Sequence, residues 1–319
     1  MRIQLIQYFF GILHYNDEEN SMNEEFFLDP AINRKSEIVD DALHLVEGIP
    51  LPSVVEISES GTCNRKCVFC PRSDPDFKDI KEFIDPGLVK KLVSELAEFS
   101  YSGIFLFSGF VEPLLDKQIY SHIKMIHEHL PYARIEMVTN GDVLNADRLK
   151  LLFESGLSTI LISVYDSLDD ADRFETMCLD CGLNKEQFVI RHRYLSESES
   201  FGITINNRAG MMAGASYSIP EQSKALQVPC YYPHYTFFMD YLGDVLLCPH
   251  DWGKKNVVGN MKKESFRNIW LGEAFLKARK LLAAGNREFK PCNVCDVKGT
   301  LMGSAHVEAW SLLQQKDSL

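Results

Sequence analysis

Seven of the nine cysteines fall into two sets whose spacing can do chemistry. Cys63, Cys67 and Cys70 lie C-x3-C-x2-C on a polar, Gly-containing segment, residues 61–72, directly after the strand-like run Ser53 to Ser58. A tight loop there can turn three sulfurs inward. Soft thiolates select iron-sulfur clusters or zinc, and a full tetrahedral site at either wants four ligands, so three thiols leave one position open. Cys230, Cys248, Cys292 and Cys295 supply four thiols, the last two as a C-x2-C knuckle, enough for zinc or a four-iron cluster. Cys178 and Cys181 form another C-x2-C at the end of a helical stretch, where buried structural thiols are the expected reading and a hydrogen-atom donor the alternative.

The elements that must position these thiols alternate from Pro52 onward. Strand patterns over residues 53–58, 103–107, 134–138, 158–164 and 187–193 are separated by helical patterns over 85–99, 116–130, 145–155 and 167–181. Asp85-Pro86 sets an N-cap with proline at the first helical position, and Gly156 and Gly182 stop their helices. Such units imply a parallel sheet with right-handed crossovers, whose ligands sit at the carboxyl ends of the strands. Residues 202–206 resemble a further strand, with too little chain before it for a crossover helix, so an incomplete or irregular barrel is expected. Past residue 225 the pattern changes to a hairpin, strands 235–241 and 245–248 about a Leu-Gly-Asp turn, then a helix over about 265–284.

At 319 residues, 45% hydrophobic and 24% charged, the chain is an ordinary globular one with room for a sizeable core. A formal charge of −12 argues against nucleic acid or an anionic membrane as the main partner. The apolar run Ile3 to Leu13 is too short to span a bilayer and lacks the flanks of an export signal, so a cytoplasmic protein is expected. Residues 1–48, with the acidic run Asn16 to Glu25 and helical spacing over Ile38 to Val46, read as an accessory or mobile arm with solvated charges.

The loop Cys63-Asn-Arg-Lys-Cys67-Val-Phe-Cys70-Pro resembles the radical S-adenosylmethionine (radical SAM) superfamily, and the chain matches it over roughly residues 54–299. The resemblance implies a partial (β/α)6 TIM-type barrel over residues 49–225, of α/β class, with a [4Fe-4S] cluster on the three cysteines and SAM at the open iron. The second cysteine set, with Gly-Asp before Cys248 and Cys248-Pro-His-Asp at it, resembles the twitch domain, a shortened SPASM domain. Its spacing is similar to that of aminocyclitol alcohol oxidases of the superfamily with one auxiliary [4Fe-4S] cluster. That implies a small C-terminal β-hairpin/helix iron-sulfur domain over residues 226–300, followed by a tail, 301–319.

The resemblance also carries over cofactor contacts at strand ends. Phe69 fits the aromatic position near the adenine. Ser108-Gly109-Phe110-Val111-Glu112-Pro113 stands where the family has Gly-Gly-Glu-Pro, assigning Gly109 and Glu112 to the SAM amino group, although Phe110 and Val111 replace small glycines. Asn140, Ser163 and Arg191 follow as further SAM contacts, and an arginine at 191, 193 or 208 holds the SAM carboxylate or the substrate. Three of these have a plain alternative: a surface turn for Glu112, an Asn-Gly turn for Asn140 and a solvated pair for the arginines.

The chemistry this implies is hydrogen-atom abstraction by a 5′-deoxyadenosyl radical from a polar, hydroxyl-bearing small molecule such as a sugar, aminocyclitol or glycan precursor. Oxidation to a ketone would use the auxiliary cluster as electron acceptor, with Tyr165, His192, Arg193 or Arg208 as candidates for the catalytic base and a flavodoxin or ferredoxin as reducing partner. An epimerase, a peptide-modifying maturase and a zinc-stabilised binding protein are the competing readings.

Overall fold

The computed structural model describes residues 30–41, 43–299 and 302–316. The run Ile3 to Leu13 and the acidic run Asn16 to Glu25 lie outside these. The elements, in order, are helix α1 (Pro30–Asp41), strands β1 (Leu45–Val46), β2 (Ile49–Pro50), β3 (Val54–Ser58), β4 (Ser60–Gly61) and β5 (Ile80–Phe83), helix α2 (Pro86–Glu98), strand β6 (Ile104–Phe107), helix α3 (Ile119–His129), strand β7 (Arg134–Thr139), helix α4 (Ala146–Glu154), strand β8 (Thr159–Val164), helix α5 (Leu168–Asp180) and strand β9 (Phe188–His192). Then come the short helix α6 (Tyr232–Tyr235), strands β10 (Thr236–Asp240), β11 (Asp244–Leu246) and β12 (Val257–Asn260), and helices α7 (Phe266–Trp270), α8 (Glu273–Ala283) and α9 (Ser304–Lys316).

The helix starts follow local chemistry. Asp85, Asn145 and Ser167 cap α2, α4 and α5 by accepting from the backbone N–H groups of Gly87, Arg148 and Asp170. The helix expected over 265–284 is two, because the chain turns at Leu271 and Gly272 between α7 and α8.

One sheet of order β12-β11-β10-β3-β6-β7-β8-β9 runs through the molecule, and β10 to β9 in that order are all parallel. The sixth parallel strand is therefore β10, the first arm of the C-terminal hairpin, paired with β3 from Thr236↔Val54 to Asp240↔Ser58. Of residues 202–206, expected to be a strand, Gly202 ends a 3-10 turn and 203–206 form no regular element. Only a kinked 3-10 segment, Glu197–Gly202, separates them from β9, and it has no length for a right-handed crossover. The iron-sulfur hairpin is thus an extension of the barrel sheet across its other edge.

Strand alternation sorts the side chains by face. Val55, Ile57, Phe105, Phe107, Ile135, Met137, Ile160, Ile162, Phe237 and Met239 join the helix-side core. Val54, Glu56, Ile104, Leu106, Glu136, Val138, Leu161 and Arg191 face a cavity instead. Three charged residues on that otherwise apolar concave face mark it as more than packing.

Helices α1 and α9 both pack against the body of the fold. Arg34 of α1 forms a bidentate ion pair with Glu136 of β7, and Ile32, Ile38 and Val39 pack with Val54, Ile104 and Tyr235. This part of the arm is docked on the barrel, and its charges are not simply solvated. The tail is helix α9 in its described part, docked by buried Trp310, whose Nε1 donates to the His234 carbonyl at 3.0 Å.

Candidate functional site

The loop after β3 and β4 carries Cys63, Cys67 and Cys70, all partly buried. It is held at several points. Cys70 N–H donates to Cys67 O at 2.9 Å, closing the turn between two thiols. Asn140, after β7, donates through Nδ2 to Asn64 Oδ1 at 2.7 Å and lies 3.8 Å from Cys63 Sγ. Arg65 grips Asp142 and Asp166, one beyond β7 and one beyond β8, and stacks over Tyr165 at 5.1 Å. Buried Arg72 donates from Nε to Phe110 O at 3.0 Å and from Nη2 to Gly61 O at 3.0 Å, and its Nη1 pairs with Asp79. The loop is thereby tied to the ends of β6, β7 and β8.

A cavity of about 200 Å³ opens beside the three thiols. It is lined by Phe69, Gly109, Glu112, Asn140, Ser163, Tyr165, Arg191, Arg193 and Arg208, so every cofactor and catalytic position read from the sequence except His192 converges there. Phe69 stacks with Tyr165 at 6.1 Å and Phe201 at 5.1 Å. Gly109 has φ +95°, and a Cβ there would come within 3.0 Å of the Phe238 ring and 3.1 Å of Ser58 Cβ. That explains a glycine at 109, while Phe110 is accommodated by packing on Phe238 and Trp252 at 5.0 and 4.7 Å.

Two positions are more internally occupied than the sequence suggested. Glu112 is buried, and its carboxylate accepts from Leu114 N at 3.0 Å, Thr139 Oγ1 at 2.6 Å and Asn140 N at 2.7 Å. It therefore locks the ends of β6 and β7 together, with little accepting capacity left for a ligand. Arg193 donates to the Gly202 carbonyl. His192 is exposed on the β9 edge, its Nδ1 2.9 Å from the Tyr194 hydroxyl, and does not face the cavity. Cys178 is in the helix-side core and Cys181 contacts Ala146 O, so neither joins the site.

A larger cavity, about 630 Å³, continues from the first and shares Ser108, Gly109, Val138, Arg191, Ile203, Arg208 and Trp252 with it. Its other walls include Lys35, Glu56, Tyr232, His250 and Asp296. Sequence reasoning missed Lys35, Glu56 and His250. Glu56 left a signal, a lone charge in the apolar run Val54-Val-Glu-Ile57. Arg208 sits at φ +47°, followed by Ala209 at +53°, in a turn that Asn207 anchors by donating from Nδ2 to Val294 O at 2.7 Å and from N to Asp296. Non-glycine residues held there store strain of the kind found at functional sites. Arg208 Nη1 is 3.4 Å from His250 Nδ1.

Cys230, Cys248, Cys292 and Cys295 gather behind this second cavity, since Tyr232, His250 and Asp296 adjoin them in sequence and line its wall. Buried Arg287 binds both sides of the set, donating to the carbonyls of Val228 at 2.9 Å, Pro229 at 2.8 Å and Val297 at 2.5 Å, and to that of Lys298. Gly299, φ +72°, passes so close that a Cβ would lie 2.4 Å from Cys230 Sγ. Among the described residues no three His, Cys, Asp or Glu side chains are grouped closely enough to hold a single metal ion.

The donor chemistry fits iron-sulfur ligation at both sets. Burial, reinforced by Cys70 and Cys63, pushes the Cys67 thiol up to about 12. Burial with Cys230 and Cys295 nearby pushes Cys292 to about 12, and Cys295 rises to about 11 for the same first reason. Crowded buried thiols resist ionisation unless a cationic centre takes their charge.

Residues 57–178 match the model of the radical SAM superfamily, and residues 230–296 match that of the SPASM iron-sulfur cluster-binding domain. The S-adenosyl-L-methionine-dependent 2-deoxy-scyllo-inosamine dehydrogenase of Niallia circulans is 32% identical over 246 residues, 74% of this chain and 88% of that protein. The chain belongs to the radical SAM superfamily. A GTP 3′,8-cyclase of Aquifex aeolicus (strain VF5) is 32% identical over 35% of each chain. The crystal structure of BtrN in complex with AdoMet and 2-DOIA superposes with TM-score 0.66 at 28% identity, covering 78% of this chain and 94% of that one. An open conformation of BtrN matches at TM-score 0.57. As a radical SAM protein with a SPASM-type region, the chain uses SAM with a [4Fe-4S] cluster and carries an auxiliary iron-sulfur cluster.

Proposed function

We propose that this radical SAM protein dehydrogenates a hydroxyl-bearing small molecule, a cyclitol or sugar, converting a carbinol to a ketone. One observation carries the reading: the 630 Å³ cavity lies between the three-thiol loop and the four-thiol set, joined to the former by shared walls and bounded by residues adjoining the latter. A substrate there is within reach of a radical generator on one side and an electron acceptor on the other. The Niallia circulans relative is a dehydrogenase of an aminocyclitol, 2-deoxy-scyllo-inosamine.

Cys63, Cys67 and Cys70 would hold the SAM-binding cluster, and Cys230, Cys248, Cys292 and Cys295 the auxiliary one. When bound, these groups supply hydrogen-atom abstraction and a one-electron sink, neither of which a side chain provides. The chain's own residues do the positioning. Phe69 and Tyr165 present aromatic faces to the adenine side. Ser163 offers a hydroxyl and Arg191 a cation for the SAM carboxylate, while Asn140 and Glu112 hold the loop that frames it. Arg208 faces the larger cavity and orients the reacting oxygen. A guanidinium stays protonated at neutral pH, so its part is to donate, not to take a proton. Phe110 and Trp252 cover the junction and keep water out. We further propose a reduced flavodoxin or ferredoxin as electron source and a cytoplasmic setting.

An epimerase would need a hydrogen-donating thiol facing the cavity, whereas Cys178 and Cys181 lie at the end of α5. The test is anaerobic reconstitution followed by product mass. Loss of two hydrogens from a supplied cyclitol, with 5′-deoxyadenosine formed, supports dehydrogenation; unchanged mass with solvent deuterium uptake would overturn it. Cys292→Ala is expected to keep SAM cleavage and lose ketone, and undiminished ketone would remove the acceptor role.

A further inference from the structure

The polar groups of the larger cavity are unequally committed. Glu136 is taken by Arg34 and by Arg134 Nε at 2.7 Å, and both Asp296 oxygens accept from Asn207 N at 2.9 Å. Glu56, buried at the centre of the concave sheet face, accepts the Ser108 hydroxyl on Oε1, and its Oε2 takes no donor from the described residues. Opposite stands Lys35 of α1. Its Nζ lies 5.9 Å from the Tyr232 ring centroid and makes no hydrogen bond or ion pair within the described residues. The helix is fixed in register by the neighbouring bidentate pair of Arg34 with Glu136, so Lys35 is delivered to this place by design of the fold.

The two groups sense each other across the cavity. Burial lowers the Lys35 pKa, and Glu56 is the largest charge raising it. Burial raises that of Glu56, and Lys35 is the largest influence bringing it down. Other charges face them: Arg191 from β9, Arg208 from its strained turn and Glu136 from β7. The gap between Lys35 and Glu56 is thus bounded by an acceptor on one side and a permanent-type donor on the other, above an apolar floor of Val54, Ile104 and Leu106.

A hydroxyl suits this gap, because it donates to a carboxylate and accepts from an ammonium at once. A substrate ammonium can only donate: it would pair with Glu56 but leave Lys35 without an acceptor and beside a like charge in a partly desolvated space, where such juxtaposition is costly. We propose that Lys35 and Glu56 form the polar subsite of the substrate and select a polyol carrying hydroxyls only over an aminocyclitol. This rests on the dehydrogenase reading and departs from the relative whose named substrate bears an amine. The arm before the barrel is then a specificity element.

The probes are 2-deoxy-scyllo-inosamine and its counterpart with hydroxyl in place of the amine, titrated calorimetrically into the anaerobically reconstituted full chain with SAM present. The wild type is expected to bind the hydroxyl compound tighter by about tenfold, the scale of one like-charge contact only partly offset by Glu56. Lys35→Met keeps side-chain length and frees Glu56, and should shift the ratio toward the amine by a similar factor, with iron content and circular dichroism confirming the fold. A wild type that binds the amine as tightly or tighter, or binds neither, overturns the proposal, as does an unchanged ratio in a folded Lys35→Met. Because binding is read independently of turnover, a protein that cleaves SAM without making ketone would sink the dehydrogenase reading while the isotherms still decide this one.

Discussion

Arg287→Met tests how the second cysteine set is built. The guanidinium is 1% exposed and donates to four carbonyls, two before Cys230 and two after Cys295. Hydrogen bonds from charged donors contribute roughly 1.5–3 kcal/mol each, and orphaned buried carbonyls add a penalty, offset by the desolvation of the arginine itself. A net loss of about 3–5 kcal/mol follows, comparable to breaking other buried ionic networks. It falls on the joint that closes the four-thiol ring, so the variant should lose one cluster rather than unfold outright. Reconstituted iron is expected to fall from about eight to about four per chain, the content of one cluster, with SAM cleavage retained and ketone formation lost. Arg287→Lys should do nearly as badly, since one ammonium cannot reach four carbonyls in the planar arrangement a guanidinium spans. Full iron content and an unchanged melting temperature in Arg287→Met would show that Arg287 does not hold the four-thiol ring closed.

Gly109→Ala places a methyl 3.0 Å from the Phe238 ring at a φ of +95°; it should lower stability by about 1–3 kcal/mol and weaken SAM binding by isothermal titration, while leaving auxiliary iron intact. His234 is buried beside Arg279, and burial first, then that guanidinium, hold its pKa down at about 3. Unfolded, it titrates near 6.5. The unfolded chain therefore binds the extra proton between these values, so stability should fall as pH drops from about 6.5 toward 3 and be fully lost from this source below that. Thermal melts against pH should show this slope flattened in His234→Gln; an identical slope would remove His234 as its source.

Much of the site was legible because its signals are local. Thiol type and spacing announce metal ligation wherever the chain goes, and caps such as Asp85 and Ser167 act within one helical turn. Strand-end placement of Asn140, Ser163 and Arg191 followed from parallel alternation alone. The misses share a different cause. Residues 202–206 have strand-like composition but no crossover to bring them beside β9, and the vacancy in the sheet was filled from the far edge by β10. Arg287 and Lys35 take their roles from partners many residues away, the Arg34–Glu136 pair that fixes the Lys35 helix being 102 apart in sequence.

Seven thiols in two sets, and an α/β barrel around them, are readable from the residues alone, because ligand chemistry and helix or strand periodicity are written in short windows. That the hairpin joins the barrel sheet, that helix α1 carries Lys35 to face Glu56, and that one cavity lies between the two thiol sets emerge only once the chain is folded. Those depend on which surfaces can bury each other and which polar groups then find partners, and such long-range pairing is chosen by the packing of the whole chain.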